Sequence, residues 1–359
     1  MTPDPVPRPE GPVYLRLYER LRREIVGGSY PFGSRMPSKR QLAEEEGVSV
    51  ITAEHAYALL CDEGYLEARE RSGYYVSFRD TDGFVPAPGV CPLPRREESR
   101  PAPSTDLPIS ALGRIMRRVI AEQGASLLER CPNRGREELR EAISRYLARS
   151  RGIHAAPEHI WIGAGAEYLY GLIVQALGPD RIYAAEDPSF EKIAQVYRAH
   201  GAECVLLPLD RDGIRSASLA ETKASVLHIT PYRSYPSDVT ASPAKRREYV
   251  RWAAREDRFV VEDDYASEFT PASKPAETVF SLARRGNVIY MNTFSRTIAP
   301  SLRIGYLVLS EEMLSLFSER VGFYACPVPV LEQLFLAEYI ESGEFERSIR
   351  RTRRQLRRE

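Results

Sequence analysis

Helical patterns alternate with short β-rich runs along most of this chain, from residue 106 onward. The β-rich runs are almost continuously apolar, as is typical of strands that are buried on both faces. Strands that alternate with helices form a mostly parallel sheet with helices packed on both sides. The sequence therefore predicts a three-layer α/β/α domain.

The pattern places the elements of this domain. Helices are expected at residues 109–120, 136–150, 167–177, 190–200, 244–257 and 311–323. Strands are expected at residues 160–163, 181–184, 204–207, 226–229, 259–262 and 288–291, with a further strand-like run at 304–309. Ligands bind such sheets at the carboxyl ends of the strands, so the residues just after each strand are the candidate site.

The first part of the chain has a different pattern. Apolar residues recur every fourth position over residues 12–27, which predicts an amphipathic helix. Ser38 and Ser49 each open a further helix, and Gly64 ends the second of these. Two short β-rich runs then flank a turn at Gly73. Three helices followed by a hairpin form a winged helix-turn-helix.

A proline-rich segment separates the two patterns. Residues 80–105 are rich in Pro and Gly and have no apolar periodicity, so we expect an extended linker. The predicted organisation is a winged helix at residues 10–79, the linker at 80–105, and the α/β domain at 106–359.

The composition argues against several classes of protein. The five cysteines are scattered without a C-x-x-C pair, so neither a disulfide framework nor a metal site is expected. No apolar run is long enough to span a bilayer, and the N-terminus lacks the basic and apolar regions of a secretory signal. We therefore expect a cytoplasmic protein. The formal net charge is zero, so the overall charge does not indicate nucleic-acid binding. The local distribution of charge matters more.

The segment SRMPSKRQLAEEEGVSVITAEHAYALLCDEGYLEARERSGYYV resembles the GntR family of DNA-binding regulators, and the resemblance extends over about residues 12–78. It implies binding to double-stranded operator DNA, and helix N-termini with Ser, Thr and Arg suit phosphate contacts. The expected DNA-binding residues are Arg35, Ser38, Lys39, Arg40, Ser49, Thr52 and Gly73 in the wing.

This segment departs from the GntR pattern in two ways. The family usually has an arginine directly after the serine that opens the recognition helix, whereas this chain has Val50, which predicts weak or altered operator recognition. Charge is also uneven, with +5 over residues 12–43 and −7 over residues 44–70. Protein contact or dimerisation through the winged helix stays open as an alternative.

Residues 290–309, YMNTFSRTIAPSLRIGYLVL, form a strand–loop–strand pattern. They resemble the cofactor-lysine segment of fold-type I pyridoxal 5'-phosphate (PLP) aminotransferases. They are more similar to the version in MocR-type regulators, which join a GntR-like domain to an aminotransferase-like domain. The position of the Schiff-base lysine holds Arg296, and a guanidinium stays protonated and cannot attack an aldehyde. No catalytic residue is therefore expected. Arg296 either pairs with a phosphate or carboxylate or lies in a surface loop.

Other motifs carry the same resemblance. EDDYASEF at residues 262–269 is similar to the MocR motif EDDYxSEF, which implies that Asp263 keeps the PLP ring nitrogen protonated and that Tyr265 contacts the ring oxygen. EDPSF at residues 186–190 implies that Phe190 covers the ring, and ITPYRSYPSD at 229–238 resembles the substrate-side loop. The expected phosphate contacts are Gly165, Ala166, Ser295 and Arg303.

The C-terminal end is expected to depart from this family. Related proteins continue through a small domain that carries an arginine for the substrate carboxylate, and that domain is expected to be largely absent here. The last residues, FERSIRRTRRQLRRE, predict a strongly basic helix. Its arginines are either solvated or in contact with DNA or phosphate.

Together these resemblances predict a GntR/MocR-type transcriptional regulator that acts as a homodimer. Its aminotransferase-like domain would sense PLP or an amino compound, with any PLP bound non-covalently because the internal aldimine cannot form. One alternative is a PLP-dependent aminotransferase, although Arg296 leaves it without a Schiff-base lysine. The other is a decayed, ligand-free scaffold that still binds DNA.

Overall fold

A computed structural model describes residues 12–70, 72–79, 109–255, 257–269, 277–284 and 286–356. The chain forms two compact units, Met1–Glu98 and Ser99–Glu359. The predicted linker at residues 80–105 lies outside the described residues. No helix among the described residues is long and apolar enough to cross a membrane.

The N-terminal unit contains three helices and a hairpin. Its elements are α1 (Val13–Val26), α2 (Lys39–Glu45), α3 (Val50–Asp62), β1 (Leu66–Arg69) and β2 (Gly73–Val76), with β1 and β2 antiparallel. Ser38 and Ser49 cap α2 and α3, since their hydroxyl oxygens accept hydrogen bonds from the backbone N–H of Gln41 and Thr52 at 3.2 and 3.1 Å. Leu21, Tyr57 and Leu60 are fully buried between the helices.

The C-terminal unit alternates helices and strands. Its helices are α4 (Ile109–Gln123), α5 (Glu137–Arg151), α6 (Ala166–Leu177), α7 (Glu191–Ala199), α8 (Ser216–Glu221), α9 (Pro243–Ala253), α10 (Val279–Leu282), α11 (Glu311–Val321), α12 (Val330–Glu341) and α13 (Glu344–Leu356). Its strands are β3 (Ile160–Gly163), β4 (Ile182–Asp187), β5 (Glu203–Asp210), β6 (Gly213–Ile214), β7 (Val226–Ile229), β8 (Phe259–Asp263), β9 (Val288–Thr293) and β10 (Gly305–Val308).

The eight strands form one sheet in the order β3-β10-β9-β8-β7-β4-β5-β6. The central pairs β9-β8, β8-β7, β7-β4 and β4-β5 are parallel. β10 is antiparallel to both of its neighbours, and β6 is antiparallel to β5. The sheet is therefore mostly parallel, and the carboxyl ends of its parallel strands lie at one edge.

Successive strand residues pack on opposite faces of the sheet. In β9, Ile289 and Met291 pack with Leu169 of α6 and Phe317 of α11. The intervening Tyr290 belongs to a second core cluster, which includes buried residues of α5 and α12. Val288 packs on that same second side, in a cluster with Trp252 of α9. Helices therefore cover both faces and complete the three-layer α/β/α architecture.

Several elements differ from the sequence-based expectations. The helix expected at residues 244–257 ends at Ala253, and Asp257 has a φ of +55°, which no helix accommodates. The basic C-terminal segment is helical, as α13, but it is not a purely solvated helix. Phe345 and Ile349 on its inner face are buried in the core.

Candidate functional site

A cavity of about 380 Å³ opens at the carboxyl ends of the strands in the C-terminal unit. Segments that follow β3, β4, β7, β8 and β9 all contribute to it, as expected for an open α/β sheet. Its lining residues are Ala166, Glu167, Tyr170, Phe190, Ile193, Thr230, Tyr235, Asp263, Tyr265, Thr293, Ser295, Arg296 and Arg303.

Most of the residues named from the sequence meet at this cavity. Ala166, Phe190, Asp263, Tyr265, Ser295 and Arg303 line it, together with Arg296. Gly165 is not a lining residue, but it precedes Ala166 with a φ of +85°, where a side chain would be strained. A Cβ at Gly165 would also lie 3.5 Å from the Arg303 guanidinium. The structure thus brings the predicted residues together around one space.

Asp263 lies at the end of β8, and only 2% of its surface is exposed. Its Oδ2 atom accepts a 2.6 Å hydrogen bond from the Tyr170 hydroxyl and lies 3.5 Å from Nε2 of His228. The other ring nitrogen of His228 is 2.6 Å from the Tyr197 hydroxyl. Oδ1 of Asp263 has no hydrogen-bond partner within the described part of the chain. One buried carboxylate oxygen at the cavity is therefore free to accept a hydrogen bond from a ligand.

Tyr170 keeps its proton at ordinary pH. Burial raises the pKa of its hydroxyl well above the usual value, and the charge of Asp263 raises it further. The hydroxyl is consequently a permanent donor to Oδ2, which holds the carboxylate in one orientation.

The N-terminus of α6 lies on another side of the cavity. Ala166 is the first residue of this helix, and the N–H groups of a first helical turn lack helical acceptors. NH2 of Arg303 is 2.8 Å from Oε2 of Glu167, and Nζ of Lys192 is 2.5 Å from Oε1 of the same carboxylate. The hydroxyl of Ser295 donates to the Leu302 carbonyl at 3.3 Å. These groups combine backbone donors, a hydroxyl and positive charge, which suits an anion such as phosphate.

Arg296 is an exposed residue at the cavity and lies over two aromatic rings. Its guanidinium carbon lies 5.3 Å from the ring centre of Tyr265 and 5.5 Å from that of Phe269. Ion pairs between described residues include Arg303 with Glu167, but none includes Arg296. Burial raises the pKa of Tyr265, and the positive charge of Arg296 opposes that rise. The hydroxyl of Tyr265 donates to the Arg233 carbonyl at 2.9 Å.

Several side chains of the site are not among the residues predicted from the sequence. Tyr170 is one helical turn after Ala166, so its position on the same face of α6 was a usable signal. His228 was recognisable as the one ionisable residue in the apolar run of β7. Thr230, Tyr235 and Thr293 lie within segments that resemble the family's motifs but were not singled out, whereas Ile193 has no comparable signal.

The predicted DNA-binding residues lie on α2, α3 and the segments around them in the N-terminal unit. Arg35, Ser38, Arg40, Ser49 and Gly73 are exposed, whereas Lys39 and Thr52 are half-buried. Nζ of Lys39 is 2.5 Å from a carboxylate oxygen of Glu54, so this lysine already has an anionic partner. The side chains of Val50 and Ile51, which open α3, are 43% and 64% exposed.

Comparison with known families matches both units. Residues 13–76 match the family "Bacterial regulatory proteins, gntR family", and residues 102–359 match "Aminotransferase class I and II". Among solved structures, an archaeal alanine:glyoxylate aminotransferase is 25% identical with a TM-score of 0.62, and it covers 67% of this chain. The kynurenine aminotransferase of Pyrococcus horikoshii is 25% identical with a TM-score of 0.63, and it covers 69%. The chain spans 62% and 64% of those two proteins, which is less than two thirds of their length.

Curated relatives match across both units. The uncharacterized HTH-type transcriptional regulator YdeL of Bacillus subtilis is 31% identical over 353 residues, which is 96% of this chain and 76% of the relative. The probable rhizopine catabolism regulatory protein MocR of Rhizobium meliloti is 30% identical, over 96% of this chain and 74% of the relative. The pyridoxine biosynthesis transcriptional regulator PdxR of Corynebacterium glutamicum is 28% identical, over 94% and 75%. The chain therefore belongs to the MocR-type subfamily of GntR transcriptional regulators, DNA-binding proteins in which an aminotransferase-like domain follows a winged helix.

Proposed function

We propose that the aminotransferase-like domain of this regulator binds PLP non-covalently and acts as its ligand sensor. The observation that carries the proposal is the free Oδ1 of Asp263 at the cavity, since a buried carboxylate oxygen without a partner suits the protonated nitrogen of a pyridine ring. The α6 N-terminus, Ser295 and Arg303 would hold the phosphate.

The residues present fit PLP as a bound ligand but not as a covalent cofactor. PLP supplies an electron-withdrawing ring to the aminotransferases that use it. In this chain Asp263 would orient the ring, Tyr170 would fix Asp263, and Phe190, which is 40% exposed, would cover one side of the ring. Arg296 offers no amine that can lose a proton, so it provides neither a covalent anchor nor a general base. We therefore propose a regulator without aminotransferase turnover.

Ligand binding would act on DNA binding through a homodimer. A ligand shifts an equilibrium only when it binds one arrangement of the protein more tightly than another. We propose that PLP, alone or with an amino compound, favours one arrangement of the dimer and so changes operator affinity. A gel-shift series with the protein's own upstream DNA, with and without PLP, measures this coupling directly.

The test of PLP binding compares the parent protein with an Arg296→Lys variant. PLP is titrated into each while absorbance is recorded, and each is then reduced with borohydride and its intact mass measured. We expect saturable binding in both proteins, with a covalent adduct only in the variant. An Arg117→Lys variant is the matched control, because Arg117 is exposed on α4 and is not a cavity residue.

Two outcomes would contradict the proposal. Absence of binding in both proteins would favour a ligand-free DNA-binding scaffold. A site-specific adduct in the parent protein would restore the aminotransferase hypothesis, which a measured transamination rate would then have to support.

A further inference from the structure

Among the described residues, the charged side chains that line the cavity are two carboxylates, Asp263 and Glu167, and two arginines, Arg296 and Arg303. The two arginines differ in their surroundings. Arg303 is ion-paired with Glu167 at 2.8 Å, and Glu167 also pairs with Lys192 at 2.5 Å. Arg296 has ring faces as its neighbours and no ion pair with any described carboxylate. One arginine of the cavity is thus already ion-paired, and the other has no ion pair among the described residues.

The aromatic contacts give Arg296 a defined position. Its guanidinium lies over the rings of Tyr265 and Phe269, and a cation–π contact leaves N–H groups of the guanidinium available to an acceptor. A planar guanidinium binds a carboxylate through two parallel hydrogen bonds, an arrangement that a lysine ammonium does not reproduce. The guanidinium of Arg296 therefore has N–H groups available to bind a planar anion such as a carboxylate.

A ligand with a single phosphate held at Arg303 would leave Arg296 without an anionic partner among the described residues. The α6 N-terminus, Ser295 and Arg303 would supply the donors to this phosphate. Arg296 would then face whatever substituent lies beside the ring. An aldehyde there is neutral, an amine would be repelled by the guanidinium, and a carboxylate would be attracted.

We infer that the cavity recognises a phosphorylated pyridine that already carries a carboxylate, with Arg296 as the residue that binds this second anion. The inference rests on the proposed function and deepens it by naming the ligand class. Two sources share this chemistry: a conjugate of PLP with an amino acid, and a pyridine phosphate in which the aldehyde has been replaced by a carboxylate. In either case the carboxylate enters with the ligand, so no bond to the protein forms or breaks.

The test measures the affinity of the full chain for matched pairs of probes by calorimetry. The first pair is N-(5'-phosphopyridoxyl)-L-alanine and its counterpart without the carboxylate, N-(5'-phosphopyridoxyl)-ethylamine. The second pair is 4-pyridoxic acid 5'-phosphate and PLP. Within the pair whose geometry fits, we expect the carboxylated probe to bind about 10- to 100-fold more tightly, the usual effect of a charged hydrogen-bonded contact. The pair that shows the preference identifies the source.

Arg296→Gln is the variant that assigns the preference to one residue. We expect the ratio within the preferred pair to fall to about 1–3 in Arg296→Gln, since the amide cannot form two charged hydrogen bonds with a carboxylate. The ratio compares two ligands in one protein, so a general loss of affinity for anions in the variant does not affect it. Arg117→Gln, which removes an exposed arginine of α4 that is not a cavity residue, should keep the parent ratio.

The outcomes separate this inference from the function on which it rests. PLP binding with no carboxylate preference in either pair would overturn the inference and leave the proposed function standing. An equal preference in the parent and in Arg296→Gln would also overturn it, because another residue would then bind the carboxylate. Failure of the parent to bind any of the phosphates would overturn both.

Discussion

The hydroxyl of Tyr170 donates a 2.6 Å hydrogen bond to Oδ2 of Asp263, while Oδ1 of that carboxylate has no partner in the described ranges. One oxygen is thus held by the protein and the other is left for a ligand. The two residues come from different elements, since Tyr170 lies on α6 and Asp263 ends β8. The different surroundings of the two carboxylate oxygens lead to two predictions, one about ligand affinity and one about stability.

Replacing Asp263 with Asn should raise the dissociation constant of PLP about 10- to 100-fold, because an amide cannot balance a protonated ring nitrogen and a charged hydrogen bond contributes about 1.5–3 kcal/mol. The measurement is a fluorescence titration of parent and variant with PLP. Asp180→Asn, a change of the same kind at an exposed position, should leave the affinity unchanged. Equal affinities in the Asp263 variant and the parent would show that Asp263 does not contact the ring.

Replacing Tyr170 with Phe should destabilise the C-terminal unit by about 1–3 kcal/mol, the usual effect of leaving a buried polar group without its partner. PLP affinity should also fall, because Asp263 would lose its fixed orientation. Chemical denaturation and the PLP titration measure the two effects separately. Tyr235→Phe is the control, since Tyr235 lines the same cavity but is 61% exposed. A stable Tyr170 variant with unchanged PLP affinity would contradict the orienting role.

The sequence specified the sheet more fully than the helices. Strands β7, β8 and β9 are short apolar runs that end in polar residues, so both their existence and their role at the carboxyl edge were predictable. Helix α12 was not predicted, because its own residues are buried on nearly all of its faces. Leu334, Phe335, Leu336 and Ala337 are consecutive and all buried, which removes the 3.6-residue periodicity on which helix prediction depends.

Some residues of the candidate site were predictable from the sequence, and others were not. Asp263 and Arg296 were found because they lie within long, specific motifs. The neighbours that set the properties of Asp263, Tyr170 and His228, come from α6 and β7, which are distant in the chain. Such contacts depend on how the elements pack together, and a single sequence carries no record of that packing. The exposure of Arg296 and its lack of an ion pair among the described residues likewise follow from the structure alone.

A buried ion pair joins Arg151 at the end of α5 to Asp264 just after β8, with 2.8 Å between NH2 and Oδ2. The two side chains are only 6% and 0% exposed. Arg151→Met should therefore destabilise the protein by about 3–5 kcal/mol, because it leaves a buried carboxylate without its counter-ion. Arg145→Met is the matched control on the same helix. Arg145 pairs with Glu341 at 3.0 Å, but both side chains are at least 40% exposed, so the loss should be below about 1 kcal/mol. Equal denaturation midpoints for the two variants would contradict this distinction.

Stability should fall as pH rises from about 4.5 to about 8. Burial raises the pKa of Glu186 from its ordinary value of 4.5 to about 7, and burial has the same effect on Glu262 and Glu268. Between these two pKa values the folded protein binds more protons than the unfolded chain, so stability is lost as pH passes the folded value. A shift of this size at one buried carboxyl corresponds to about 3 kcal/mol at most.

Glu186→Gln isolates one of these groups. Glu186 accepts hydrogen bonds from the Thr230 N–H at 3.1 Å and from the Ser234 hydroxyl at 2.5 Å, and a neutral amide of the same shape can bond to both. We expect this variant to gain stability relative to the parent at about pH 8 and to differ little from it at about pH 4, below the ordinary pKa of a glutamate. Thermal unfolding across this range is the measurement. A difference between variant and parent that does not change with pH would show that Glu186 does not titrate in this window.

Val50 opens the recognition helix α3 with an apolar side chain that is 43% exposed. An arginine there would lie next to the α3 N-terminus, where phosphate and base contacts are expected in a winged helix. Val50→Arg should tighten DNA binding and steepen the dependence of log affinity on log salt by about one unit, the effect of one added phosphate contact. If the introduced arginine instead reads a base edge, the gain should be confined to sequences with guanine at one position, by about 1–3 kcal/mol.

Val26→Arg provides the matched control, because Val26 is 46% exposed at the end of α1 in the same unit. Both variants add one positive charge to the N-terminal unit, so any general electrostatic attraction to DNA should be equal in the two. Fluorescence polarisation on the protein's own upstream DNA, at several salt concentrations, compares them. A steeper salt dependence in Val50→Arg alone would place the start of α3 at the DNA. Equal changes in both variants would show that net charge, and not the position of α3, determines the binding.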